Sequence, residues 1–237
     1  DSAIFQYNEA CYTVYNEGDT DARGIDSDFR TKNTIIQYNY LHHNEFGGVV
    51  ATGGSGSSPW LETFNDGTII RYNILADNQD HILRTSGKLT NLLFHNNILF
   101  TSDKDYLKGI KIIANGQWGG AYAKNLYYYN NIFLHLAKNP EFDFGDSYNN
   151  VFENNLFSGN RANNEPEDQF KIIGDLQKFN IDIDDLMSFK IIIGSPAIGK
   201  GKVISGHPCK DFFGNTIPPK GPVDIGPHQL SKMFPNK

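Results

Sequence analysis

Apolar and polar positions along this chain recur as one unit. The run Thr34-Ile35-Ile36-Gln37-Tyr38-Asn39-Tyr40-Leu41 is nearly copied by Thr68-Ile69-Ile70-Arg71-Tyr72-Asn73-Ile74-Leu75. Looser copies run from Ile4 to Ala10, Leu93 to Leu99, Tyr127 to Phe133 and Val151 to Phe157. Each carries two or three apolar or aromatic residues, a variable pair, an Asn and, in most copies, two more apolar residues. The aligned residues are Asn8, Asn39, Asn73, Asn97, Asn131 and Asn155, so the successive separations are 31, 34, 24, 34 and 24. Repetition at such spacing predicts a solenoid or array. No intervening segment keeps a 3.6-residue apolar period for three turns, which argues against helical repeats. Short β-rich runs between turn residues predict about three strands per repeat.

These features predict an all-β chain, a parallel β-helix of about six coils. Twenty-four residues suit one lap, and the longer laps then carry loops of roughly ten extra residues. An Asn at a tight bend can adopt left-handed backbone geometry. Its amide can also bond the Asn stacked one lap away, so the column predicts an inward ladder that satisfies buried polar groups.

Between the repeats, Gly24-Ile25-Asp26-Ser27-Asp28-Phe29 alternates. Ile25, Ser27 and Phe29 are expected to face inward, which leaves Asp26 and Asp28 projecting outward about 7 Å apart. Like charges that close repel unless a cation or metal sits between them. Aligning the later strands by pattern puts Val50 and Thr52, then Arg84, Lys111 and Asp143 along the same outer wall, flanked by His42, His43 and His81. A wall that concentrates opposite charges reads as a substrate groove. The alternative is ordinary surface ion pairing. Residues 53 to 60 are Gly- and Ser-rich and predict a loop over that wall. Its Trp60 is a candidate for sugar stacking or for anchoring the loop's own base. Residues 160 to 168 read as a polar excursion, and 170 to 190 as irregular with one helical turn near Ile181 to Leu186. Residues 1–194 are thus expected to hold the coils, and 195–237 a C-terminal capping segment of the same domain.

Composition narrows the function. A net charge of −6 argues against a general nucleic-acid binder, which would show a basic stripe. No run of 18 apolar residues is present, so no spanning helix is expected. Cys11 and Cys209 are expected to lie far apart and unbridged. Because the chain opens at Asp1 within a repeat, earlier coils and any leader are expected to precede it.

The tail carries Ser195-Pro196-Ala197-Ile198, Asp211-Phe212-Phe213-Gly214-Asn215 and Asp224-Ile225-Gly226. With the Asn-bearing laps, it resembles secreted bacterial right-handed parallel β-helix proteins of the pectin-lyase-like superfamily. The first laps (YNEA, GIDSDF and NTIIQYNYLHHNEFGG) resemble carbohydrate-active members, which have an Asp-x-Asp strand there and a His-Asp-Asn-Glu-Gly-Gly turn. Here that turn reads His42-His43-Asn44-Glu45-Phe46-Gly47-Gly48. The resemblance implies a monomeric, secreted or periplasmic enzyme acting on a polysaccharide or oligosaccharide, with no nucleic-acid or membrane partner.

Two chemistries suit such a wall. A glycoside hydrolase would use Asp26 and Asp28, with Glu45 or Asp66 nearby, as acid and base and needs no cofactor. A polysaccharide lyase would neutralise a uronate carboxylate and abstract the C5 proton. Arg84, Lys111 and His81 would then act, with Ca²⁺ on Asp26 and Asp28. His42, His43, Glu45 and Trp60 are expected to bind substrate in either case. The paired Asp favours the hydrolase. A third reading is a glycan-binding adhesin or spike without catalysis.

Overall fold

A computed structural model describes residues 2–17, 21–54, 63–176 and 181–230. The loop expected at 53 to 60 falls mostly outside the described residues, and Trp60 falls wholly outside them. The fold is all-β, and its named strands form three sheets, all parallel and stacked in register. The first sheet takes Ile4–Gln6, Ile35–Gln37, Ile69–Arg71, Leu89–His95, Lys124–Tyr129 and Tyr148–Glu153 in that order. The second takes Glu9–Cys11, Tyr40–His42, Ile74–Ala76, Ile98–Thr101, Ile132–His135, Leu156–Gly159 and Ile172–Ile173. The third takes Ile25–Ser27, Val49–Thr52, His81–Ser86, Lys111–Gly116 and Glu141–Asp143. Each repeat of the sequence motif thus spans one strand of the first sheet, a bend, and one strand of the second.

That bend holds the ladder. Asn8 Nδ2 donates to Asn39 Oδ1 (2.9 Å), Asn39 to Asn73 (3.0 Å), and Asn73 to Asn97 (3.0 Å). Asn97 then donates to Asn131 (3.1 Å), and Asn131 to Asn155 (3.0 Å). Asp168 closes the column by accepting from the backbone N and Nδ2 of Asn155. Every member from Asn39 to Asn155 is fully buried. A second, shorter ladder links Thr13, Asn44 and Asn78 at the next corner.

One expectation is corrected here. The left-handed residue is the one before each ladder Asn, not the Asn itself. Tyr7, Tyr38, Tyr72, Asn96, Asn130 and Asn154 all have φ between 51° and 59°. A bulky side chain tolerates that geometry poorly. The tyrosines gain by stacking on one another instead: Tyr7 on Tyr38 at 5.1 Å, and Tyr38 near Tyr72 at 6.1 Å.

Two apolar layers hold the sheets. Ile36, Leu41, Val49, Ile70, Leu83, Phe94, Leu99, Leu126 and Phe133 fill the space between them. The second sheet is apolar on its outer face as well, through Ile74, Phe100, Ile132 and Leu134, and Leu176, Phe189, Ile191, Ala197 and Ile225 from the C-terminal segment cover it. The helical turn expected near Leu186 is a short 3₁₀ helix, Leu186–Phe189, capped by Asp185.

The segment from Lys200 to Lys210 then runs along the side of the stack. Its carbonyls at Lys200, Lys202, Gly206 and Lys210 accept from Asn154, Asn130, Arg71 and Tyr38 in turn. It therefore climbs back past successive repeats as a strap. Cys11 and Cys209 are both free thiols.

Candidate functional site

The third sheet builds the cleft. Because side chains alternate across a strand, the row facing out from Ile25–Ser27 contains Asp26 while Ser27 turns inward and is buried. The register then sets Asp26 beside Val50, Val50 beside Arg84, Arg84 beside Ala114, and Ala114 beside Asp143. Asp28 follows just beyond the strand, and its Oδ1 accepts from the backbone N of Phe29 at 2.7 Å. Asp21, Arg23, Asp26, Asp28, Arg84 and Trp118 surround a cleft of about 380 Å³ floored by Val50, Thr52 and Ser86.

Charge in the cleft is distributed unevenly. Arg23 Nη1 lies 2.7 Å from Asp26 Oδ2 and 3.0 Å from Asp21 Oδ1. Burial nonetheless pushes the Asp26 carboxyl above its ordinary 3.8, with Asp28 and Asp21 adding repulsion and Arg23 opposing both. Among the described residues, no ion pair or hydrogen bond engages the Arg84 guanidinium, although Arg84 is half-buried. It lies over Gly116, where an added Cβ would come within 3.4 Å of it. A half-buried guanidinium with five free donors facing a cleft is suited to a planar oxyanion such as a carboxylate.

Trp118 forms the far wall. It is 40 % exposed and its ring meets Phe29 edge-on at 6.2 Å. The turn that presents it pairs Trp118 with Ala121, and Gly119 and Gly120 supply the two positive φ angles between them. Sequence reasoning offered Trp60, as a stacking residue or as an anchor of its own loop, and did not single out Trp118. The Trp-Gly-Gly turn was the signal that could have found it.

The remaining expected site residues lie elsewhere. Pattern alignment put Lys111 in the Arg84 row, but Ala114 occupies that position. Lys111 stands opposite His81, three residues away along the strand. Its Nζ pairs with Asp143 Oδ2 at 2.7 Å, so this outward pair closes on itself at the far end of the wall. Glu45 and Lys111 share a separate open depression with Asp80 and Tyr106. His81 is 1 % exposed, its Nδ1 bonded to Asp80 Oδ2 at 2.6 Å and its Nε2 facing Gly47. Burial holds its pKa below the usual 6.5. His42 and His43 belong to the second sheet's corner, where His42 Nε2 meets Glu9 Oε1 at 2.9 Å. Asp66 is on the first sheet, bonded by Thr90 and Asn91. The structure thus gathers Asp26, Asp28 and Arg84, and leaves His42, His43, Glu45, Asp66, His81 and Lys111 outside the cleft.

Ca²⁺ does not fit between Asp26 and Asp28. Arg23 already occupies one Asp26 oxygen, Arg84 stands in the same row, and a calcium site needs six to eight oxygen ligands. Neither a comparison with protein-family models nor a search of curated proteins finds a match for this chain.

Proposed function

We propose that the chain is a right-handed parallel β-helix of about six laps that hydrolyses a polysaccharide in the third-sheet cleft. Three parallel sheets, each revisited by the first five repeats, support the helical path, as does the unbroken Asn column. The observation that carries the activity is the pairing of two outward carboxylates, Asp26 and Asp28, in one cleft with an exposed Trp118 and an Arg84 that has no ion pair or hydrogen bond among the described residues.

Each group has a task in that reading. Asp26, displaced toward the protonated state, is the proton donor to the leaving oxygen. Asp28 is the base that activates water. Inverting glycosidases hold their two carboxyl groups about 6.5–9.5 Å apart to leave room for that water. Trp118 offers its face to a sugar ring, and Arg84 reads an acidic substituent. The substrate class is therefore a uronate-bearing or otherwise anionic glycan.

Arg84 also keeps the lyase reading open, since a guanidinium can mask a uronate carboxylate. That reading lacks a base, because Lys111 and His81 lie outside the cleft and Ca²⁺ does not fit. Digestion of a panel of neutral and acidic polysaccharides separates the two. New reducing ends without unsaturated uronate are expected, on acidic substrates in preference to neutral ones. Unsaturated uronate ends would identify a lyase, and binding without new ends would identify a glycan-binding protein.

A further inference from the structure

We propose that Glu9, Cys11 and His42 form a zinc site at the opposite corner of the fold, independent of the third-sheet cleft. Glu9 and Cys11 are two residues apart on one strand and so project from the same face. His42, in the next strand of the second sheet, is paired directly beside Cys11. One ligand atom from each, an oxygen, a sulfur and a nitrogen, lies within 4.8 Å of the other two.

The chemistry of the set is selective. Thiolate, imidazole and carboxylate are the ligands that zinc takes, and the sulfur disfavours Mg²⁺ and Ca²⁺. Tetrahedral zinc with Zn–N and Zn–O bonds of about 2.1 Å needs its nitrogen and oxygen about 3.4 Å apart. His42 Nε2 and Glu9 Oε1 stand at 2.9 Å, so a small rotation of the exposed Glu9 side chain admits the ion. Three protein ligands leave the fourth position to water, the pattern of zinc sites open to chemistry.

A second observation concerns His42's other nitrogen. A ligating imidazole ordinarily donates its distal N–H to a fixed acceptor, which sets the tautomer and the ring plane. His42 Nδ1 lies 2.8 Å from His43 Nδ1, and Tyr12 stacks on His43 at 4.9 Å. Tyr40 stacks on His42 at 4.2 Å, and its own hydroxyl is fixed to the Ile183 carbonyl. The imidazole is therefore buried, ring-clamped and aimed outward at a thiol and a carboxylate. Such a shell is more than an ordinary surface His–Glu pair needs. His43 is the positioning residue in this arrangement.

The test uses the whole chain, stripped with a chelator and titrated with Zn²⁺ against a chromogenic competitor. Co²⁺ serves as the spectroscopic probe. One equivalent of Zn²⁺ is expected, together with a thiolate-to-cobalt charge-transfer band. Cys11→Ser should remove that band and weaken zinc by at least about 100-fold, since even an outer partner of a ligand is worth 10- to 100-fold. Glu9→Gln, at an exposed side chain, should weaken zinc while folding normally, which keeps the test valid if a Cys11 variant misfolds. His43→Ala should weaken zinc by about tenfold and leave the band in place. Cys209→Ser should change nothing. Absence of stoichiometric binding, or equal binding by Cys11→Ser and wild type, would overturn the site.

Discussion

Replacing Asp26 by Asn is expected to cut polysaccharide turnover by roughly 10²- to 10⁴-fold, the usual contribution of a positioned acid or base. The protein should lose no thermal stability. Both halves follow from the same geometry. Asp26 lines the cleft with its side chain 33 % exposed, and the desolvation there raises its pKa above the ordinary 3.8 despite Arg23 at 2.7 Å. A carboxyl whose folded pKa is raised ionises less readily in the native state than in the unfolded chain. Its ionisation therefore costs stability as pH rises through that pKa, and Asn removes this cost. Arg23 keeps Asp21 as a partner at 3.0 Å. For activity the sign is the same: a general acid must be protonated, so kcat/KM should fall as pH rises through the Asp26 pKa. Thermal melts and a pH–rate profile read the two effects separately. Normal turnover with a lowered Tm would mark Asp26 as a structural ion-pair partner.

Replacing Asn97 by Leu should cost about 1–3 kcal/mol, a sizeable share of the 5–15 kcal/mol that typically holds a domain together. Leu is similar in size, so the loss comes from hydrogen bonds rather than from a cavity. Asn97 Oδ1 accepts from the backbone N and the Nδ2 of Asn73, and its own Nδ2 donates to Ile70 O and Asn131 Oδ1. The side chain of Asn73 keeps Ile36 O and Arg71 O as acceptors. The Asn73 backbone N–H is left bare in a dry interior, at about 1–3 kcal/mol, while the Ile70 carbonyl keeps its place in the ladder with Leu89–His95. Asn8→Leu, at an exposed position, should cost less than about 1 kcal/mol. Urea unfolding of both variants gives the comparison. Equal losses at the two positions would mean that burial does not govern the ladder's worth.

The ladder was legible because the Asn is the one polar residue held at a fixed place between two apolar runs. The bonded partners are separated by 31, 34, 24, 34 and 24 residues, the spacing read from the sequence. Asp26 was legible for a similar reason, since alternation within Ile25–Ser27 fixes which side chains face out, whereas the strand ends before Asp28. Columns between strands were harder. Loops of unequal length separate the ladder from the third sheet, and Lys111-Ile112-Ile113 fits the apolar pattern in two offsets. Its strand also carries a register shift against Glu141–Asp143, which no propensity announces. The cover over the second sheet was missed although a signal existed. Ile98-Leu99-Phe100 and Ile132-Phe133-Leu134 are apolar without alternation, the mark of strands buried on both faces. Something had to cover their outer side, and Leu176, Phe189, Ile191, Ala197 and Ile225 do so.

The most direct test of the cleft as the site of glycan hydrolysis is a crystal structure of Asp26→Asn soaked with an oligosaccharide of the most readily degraded substrate. The variant should hold the sugar uncleaved, with one ring against Trp118, an acidic substituent on Arg84, and a glycosidic oxygen facing residue 26. A sugar bound along another face of the stack, with the third-sheet cleft empty, would contradict the account.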